Sequence, residues 1–222
     1  MERSKRPVVA GIVLVVLHVV GVIGFSLESF KPLFQQLTPL NLIITVVLLG
    51  VFHQVWTKRF AAWAFLTFMA GFLVEVTGVK TGLIFGEYAY LPAFGPQLWE
   101  TPPIIGLNWL MLVYIIGMLV ALIPVKRKGL AIDAPLVKSA IAATLLTLFD
   151  VLVEPVAIQN EFWTWFGQTP PLQNFAAWWL IGFVLFYGYY RLPQKPRNPL
   201  TIWVIGVQLL FFGGLFIIGN SS

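Results

Sequence analysis

The sequence predicts an all-α protein: a polytopic membrane bundle of seven transmembrane helices. Three observations predict it. Of 222 residues, 59% are hydrophobic and 10% charged, and the mean hydropathy is +0.86. An average globular domain is about a quarter charged, so this chain cannot cover a water-facing surface. Seven apolar stretches, near 8–25, 40–57, 61–76, 104–123, 134–153, 174–191 and 200–218, approach the length of about 20 residues that a spanning helix needs. Between them stand prolines and basic clusters, which belong where such helices end.

The first stretch follows Arg3, Lys5 and Arg6, an arrangement shared with secretory signals. No small-residue cleavage site precedes Leu27-Glu28-Ser29, so a retained helix is expected. Pro32 and Pro39 place the start of the second helix near residue 40, and Lys58-Arg59 separates it from the third. The third is short, about 16 residues, and its far end runs into Glu75. Pro92 through Pro103, the run Lys126-Arg127-Lys128-Gly129, Pro155, Pro170-Pro171 and Pro193 through Pro199 mark the later breaks. Pro155 is expected to stop the fifth helix and leave Glu154 on its last turn. The apolar runs are continuous rather than alternating, so strands are not expected. The two long loops are 77–103 and 154–173. With no internal repeat, residues 1–222 read as a single transmembrane domain.

The net charge of +5 is explained by placement. With the N-terminus cytoplasmic, twelve basic residues fall on the inner side: Arg3, Lys5, Arg6, Lys58, Arg59, Lys126, Arg127, Lys128, Lys138, Arg191, Lys195 and Arg197. Only Lys31 and Lys80 fall outside. This bias sets the orientation, with the C-terminus and both long loops extracytoplasmic, in the cell (cytoplasmic) membrane. It also removes the case for nucleic acid. The absence of cysteine excludes disulfides and thiolate sites. His18 and His53, on opposite halves of the membrane, make a poor metal site and read as hydrogen-bonded residues, so no metal is expected.

Glu2 and Asp133 are inner, whereas Glu28, Glu75, Glu87, Glu100, Asp150, Glu154 and Glu161 gather at the outer end. Three of these, Glu75, Asp150 and Glu154, lie in or at the ends of spanning segments. A charge at bilayer depth costs about 2.5–3.5 kcal/mol on insertion scales, so such residues usually face the bundle interior and act there. Asp150 and Glu154 are four apart and share a helix face. Asn108 and Asn174 fall at the same depth. Tyr88, Tyr90, Trp99, Trp109, Trp163, Trp165, Phe175 and Trp178 crowd the same pole, partly as an interfacial belt. Aromatic faces also attract cations. Carboxylic acids beside electron-rich rings suit chemistry that protonates an alkene and passes through a carbocation. Phosphate loops, nucleophilic triads and dinucleotide fingerprints are missing, and the last helix has no lysine for a retinal Schiff base.

Those residues resemble the integral-membrane carotenoid hydratases, of the γ-carotene 1′,2′-hydratase and bisanhydrobacterioruberin hydratase type. The resemblance lies in Glu75-x-x-Gly78-Val79-x-Thr81-Gly82-x-x-Phe85-Gly86-x-Tyr88-x-Tyr90 and in Asp150-x-x-x-Glu154-Pro155-x-Ala157. It continues through Trp163-x-Trp165 and Pro171-x-x-Asn174-Phe175-x-x-Trp178. Ala177 and Thr169-Pro170 depart from the family pattern. The resemblance implies addition of water across the terminal C1,C2 double bond of an acyclic carotenoid end group, giving a tertiary alcohol without any cofactor. The partners implied are the carotenoid, membrane lipid and other carotenoid-pathway enzymes. For the mechanism, Asp150 is the expected acid, with Glu154 or Glu75 positioning and deprotonating water; the sequence leaves the division of roles open. Trp109, Trp163 and Trp165 are expected to face the cation, Asn108 and Asn174 to hold water, and Tyr114 to line a polyene tunnel. A carotenoid cyclase, a proton- or ion-coupled transporter and a non-catalytic scaffold are the rival readings. Scarce polar groups in the inner halves of the helices speak against conduction.

Overall fold

The computed structural model describes residues 2–124, 134–193 and 197–220. It is an all-α bundle of seven helices: α1 Glu2–Ser26, α2 Lys31–Phe52, α3 Lys58–Thr81, α4 Ile104–Ala121, α5 Ala134–Gln159, α6 Leu172–Tyr190 and α7 Thr201–Gly219. All but α6 are long and apolar enough to cross a membrane by length and composition. The 19 residues of α6 would reach roughly 28 Å at 1.5 Å per residue, but they include two tryptophans and three tyrosines. Lys126, Arg127, Lys128, Asp133 and Lys195 lie outside the described residues, as do the side chains of Glu2, Arg3 and Lys5.

The bounds of three helices differ from those the sequence predicts for identifiable reasons. α2 begins at Lys31 because Pro32 sits in its first turn, where a missing N–H costs nothing, and it continues through Pro39. α3 starts earlier, capped by Thr57, whose hydroxyl accepts from the Phe60 amide at 3.1 Å. It stops only at Gly82, which takes the left-handed φ of 66° that glycine adopts freely. Glu75 therefore lies well inside α3 rather than at its end. α5 does not stop at Pro155. It runs on to Gln159, with Val156 and Ala157 fully buried against neighbouring helices. A proline inside a membrane helix is tolerated where surrounding helices hold the segment. Glu154 is accordingly interior to α5, not on its last turn.

The expectation of no strands is also corrected. Tyr88–Tyr90 (β1) and Trp163–Trp165 (β2) pair antiparallel, in the register Tyr88 opposite Trp165 and Tyr90 opposite Trp163. The two long loops are thereby joined into one cap over the end of the bundle. The opposite end is tied by the Gln54 amide to the Arg197 carbonyl at 3.0 Å and by Asn198 Nδ2 to the Leu49 carbonyl at 2.7 Å. His53 and Tyr114 bond each other there at 2.7 Å, and His53 Nε2 meets the Val55 carbonyl at 2.8 Å.

Candidate active site

Alternation along β1 and β2 aims the site. In a strand, residues i and i+2 share a face, and directly opposed residues of an antiparallel pair share it too. Tyr88, Tyr90, Trp163 and Trp165 therefore project from one face of the cap, and Ala89 and Thr164 from the other. All four aromatics line a cavity of about 300 Å³ beneath the cap, together with Glu75 of α3, Asn108 of α4, Asp150 and Glu154 of α5, and Asn174 and Trp178 of α6. Four helices and the two-stranded cap thus meet where the sequence gathers its acids.

Each carboxylate has a distinct set of partners. Glu75 accepts from three donors: Tyr88 Oη at 2.5 Å and Tyr90 Oη at 2.8 Å on Oε2, and Trp109 Nε1 at 2.8 Å on Oε1. Trp109 can reach it because Gly71 lets α3 and α4 approach; a Cβ on Gly71 would stand 2.5 Å from that of Trp109. Glu154 Oε2 accepts from Trp165 Nε1 at 2.9 Å and Trp163 Nε1 at 3.1 Å. Asp150 Oδ2 accepts from Asn174 Nδ2 at 2.9 Å, and the same amide lies 3.5 Å from Glu154 Oε1. Asp150 Oδ1 has no protein partner among the described residues. Trp178 stacks on Trp109 with ring centroids 4.1 Å apart.

Tyr88 and Tyr90 stay donors over a wide pH range. Burial first, and the nearby Glu75 charge second, push both phenols well above their ordinary value. A raised folded-state value supports the fold below pH about 10, where an unfolded phenol still holds its proton, and the support is lost as pH rises further. Thermal unfolding in detergent is expected to fall off above that pH, and Tyr88→Phe with Tyr90→Phe should flatten the fall.

The cavity is not sealed from the surroundings of the bundle. It extends between α1, α2 and α7, where Val20, Leu37 and Leu40 line it and are also 47, 39 and 51% exposed. The cavity therefore has an apolar side entrance. Of the residues named from sequence, Tyr114 lies away from the cavity, bonded to His53 and 3.2 Å from Asn198 Nδ2. Phe175 is half-buried outside the lining, and Trp109 reaches the site only through Glu75 and Trp178. Asn174 ties the two α5 carboxylates. Glu100 pairs with Lys80 at the surface, and Glu161 accepts from Gln35 at 3.2 Å. The sequence reading missed Asn41, which lines the same cavity. Its signal was a lone amide in the run Leu40-Asn41-Leu42-Ile43, and it was obscured by the misplaced start of α2.

Helix count and hydropathy define a membrane helix-bundle protein, and a buried acid cluster borders its largely apolar cavity. A family model described as carotenoid biosynthesis protein matches residues 37–218, and the chain belongs to that family. No curated protein and no solved structure matches the chain.

Proposed function

We propose that the protein is a cofactor-independent carotenoid hydratase, adding water across the terminal C1,C2 double bond of an acyclic end group. The observation that carries the reading is the unequal provision of hydrogen bonds to three carboxyl groups around one apolar cavity. Glu75, with three donors and nothing to donate to, suits a permanent anion. Glu154, held by two indole N–H groups, suits a base. Asp150 has one oxygen held by Asn174 and the other open, which suits an acid that carries a proton on the open oxygen.

The steps balance. Asp150 gives its proton to C2, and the π electrons form the new C–H bond, leaving a tertiary cation at C1. Water adds to C1, and Glu154 removes its extra proton. That proton returns to Asp150 one helical turn away, restoring both groups. Trp163, Trp165 and Trp178 offer π faces to the cation, and Glu75 offers charge. The side entrance admits a polyene from the lipid, so only its end group need enter the cavity. The orientation that fits is the cap on the extracytoplasmic side of the cell membrane, where water is at hand, with all seven helices spanning.

Expression in cells that accumulate lycopene tests the reading. Pigment heavier by the mass of one water per reacted end is expected. Unchanged mass with a ring would make the protein a cyclase, and untouched pigment would end the enzymatic reading.

A further inference from the structure

The cavity has a second polar wall that the proposed reaction does not use. His18 of α1, Asn41 of α2 and Gln208 of α7 line it from three different helices. His18 Nδ1 lies 2.8 Å from the Leu14 carbonyl, which can only accept, so Nδ1 carries the proton and Nε2 is an acceptor. Asn41 Nδ2 at 3.5 Å and Gln208 Nε2 at 3.4 Å approach that nitrogen, both beyond the usual hydrogen-bond length. Turning the Asn41 amide would set its oxygen against the Nε2 lone pair, so its orientation is determined. Asn41 Oδ1 is then buried with no partner. An unmet buried acceptor is costly, the more so at a depth where lipid offers no hydrogen bonds. The His18 ring is held edge-on by Phe211, centroids 6.0 Å apart, so the wall is built rather than loose.

We propose that His18, Asn41 and Gln208 form a subsite for an O–H group inside the cavity. The O–H donates to His18 Nε2, and its oxygen accepts from Gln208 Nε2 and Asn41 Nδ2, the two amides that stop 3.4 and 3.5 Å short of that nitrogen. A pure hydrocarbon leaves His18 Nε2 with only those two long contacts. Two sources carry the required chemistry: a hydroxyl on a polyene, or a water molecule. The first rests on the reading of the cavity as a carotenoid site; the second does not.

Both are tested on the full-length protein in lipid nanodiscs. In the first arm, lycopene and its 1-hydroxy derivative are titrated separately into protein carrying Asp150→Asn, so that lycopene is not turned over, with binding read as quenching of tryptophan fluorescence, since Trp163, Trp165 and Trp178 line the cavity. A polyene hydroxyl predicts a preference for the alcohol of about tenfold, the worth of one hydrogen bond. Asn41→Leu should erase the preference while lycopene affinity persists, and Gln208→Leu, on another helix, should repeat the result. In the second arm, protein labelled with ¹⁵N-histidine and free of pigment is examined by solid-state NMR for water-proton transfer to His18 Nε2. His53 is no confounder, because both its nitrogens have protein partners. A transfer signal that Asn41→Leu removes, without any pigment preference, assigns the subsite to water. Absence of both preference and signal, or a preference that survives Asn41→Leu, overturns the proposal. If neither pigment binds, the carotenoid reading of the cavity fails, and the water arm still decides the subsite.

Discussion

Asp150→Asn is expected to lower hydration by about 10²–10⁴-fold, the usual contribution of a positioned general acid, with the protein still in the membrane. The substitution keeps the shape and can keep a hydrogen bond with Asn174, but an amide has no proton to give an alkene. Glu154→Gln provides the contrast. Its amide oxygen can still accept from Trp163 and Trp165, so the cap should stay seated, while the base that takes the proton from water is gone. Protonation would then continue and the cation would collapse back to alkene. In D₂O, Glu154→Gln should therefore return alkene carrying deuterium at C2, whereas Asp150→Asn should return it unlabelled. Wild-type-like yield of alcohol from Asp150→Asn would remove this residue from the mechanism.

The bundle was legible in the sequence because hydropathy over twenty residues is a strong, additive signal. Helix ends were less so. Pro39 and Pro155 read as stops, since a proline in isolation removes a hydrogen bond; packing of Val156 and Ala157 overrides that penalty in α5, and only tertiary contacts can say so. The misplaced start of α2 hid Asn41 at an apparent helix boundary. Spacing put Asp150 and Glu154 on one face, but it could not say that Asn174 would tie them or that each acid would receive different donors. The alternation in Tyr88-Ala89-Tyr90 and Trp163-Thr164-Trp165 was a visible strand signal, yet three residues are too few to predict pairing between segments more than seventy residues apart. Tyr114 does not line the cavity beneath the cap, and its place was not legible because a mid-helix tyrosine gives no hint of which partner, here His53, will claim its hydroxyl.

Glu75→Gln is expected to slow hydration about 10²–10³-fold, the cost of removing one preorganised electrostatic group from a buried site. The substitution separates charge from geometry. With the amide oxygen placed toward Trp109 Nε1, the amide nitrogen faces two phenols, and a hydroxyl can accept as readily as it donates. The network around Tyr88 and Tyr90 can thus persist after the anion is gone. Tyr90→Phe does the reverse, deleting one of three donors and leaving the charge, and should slow the reaction far less. The ranking of these two variants decides what Glu75 does. If Gln at 75 is the more damaging and thermal unfolding shows both proteins intact, the carboxylate stabilises the cation electrostatically. If Tyr90→Phe costs as much or more, Glu75 serves to hold the cap, and the tertiary cation must draw its stabilisation from Trp163, Trp165 and Trp178 instead. The electrostatic outcome is the one favoured by the donor count, because three hydrogen bonds converging on one carboxyl do more than a tether requires.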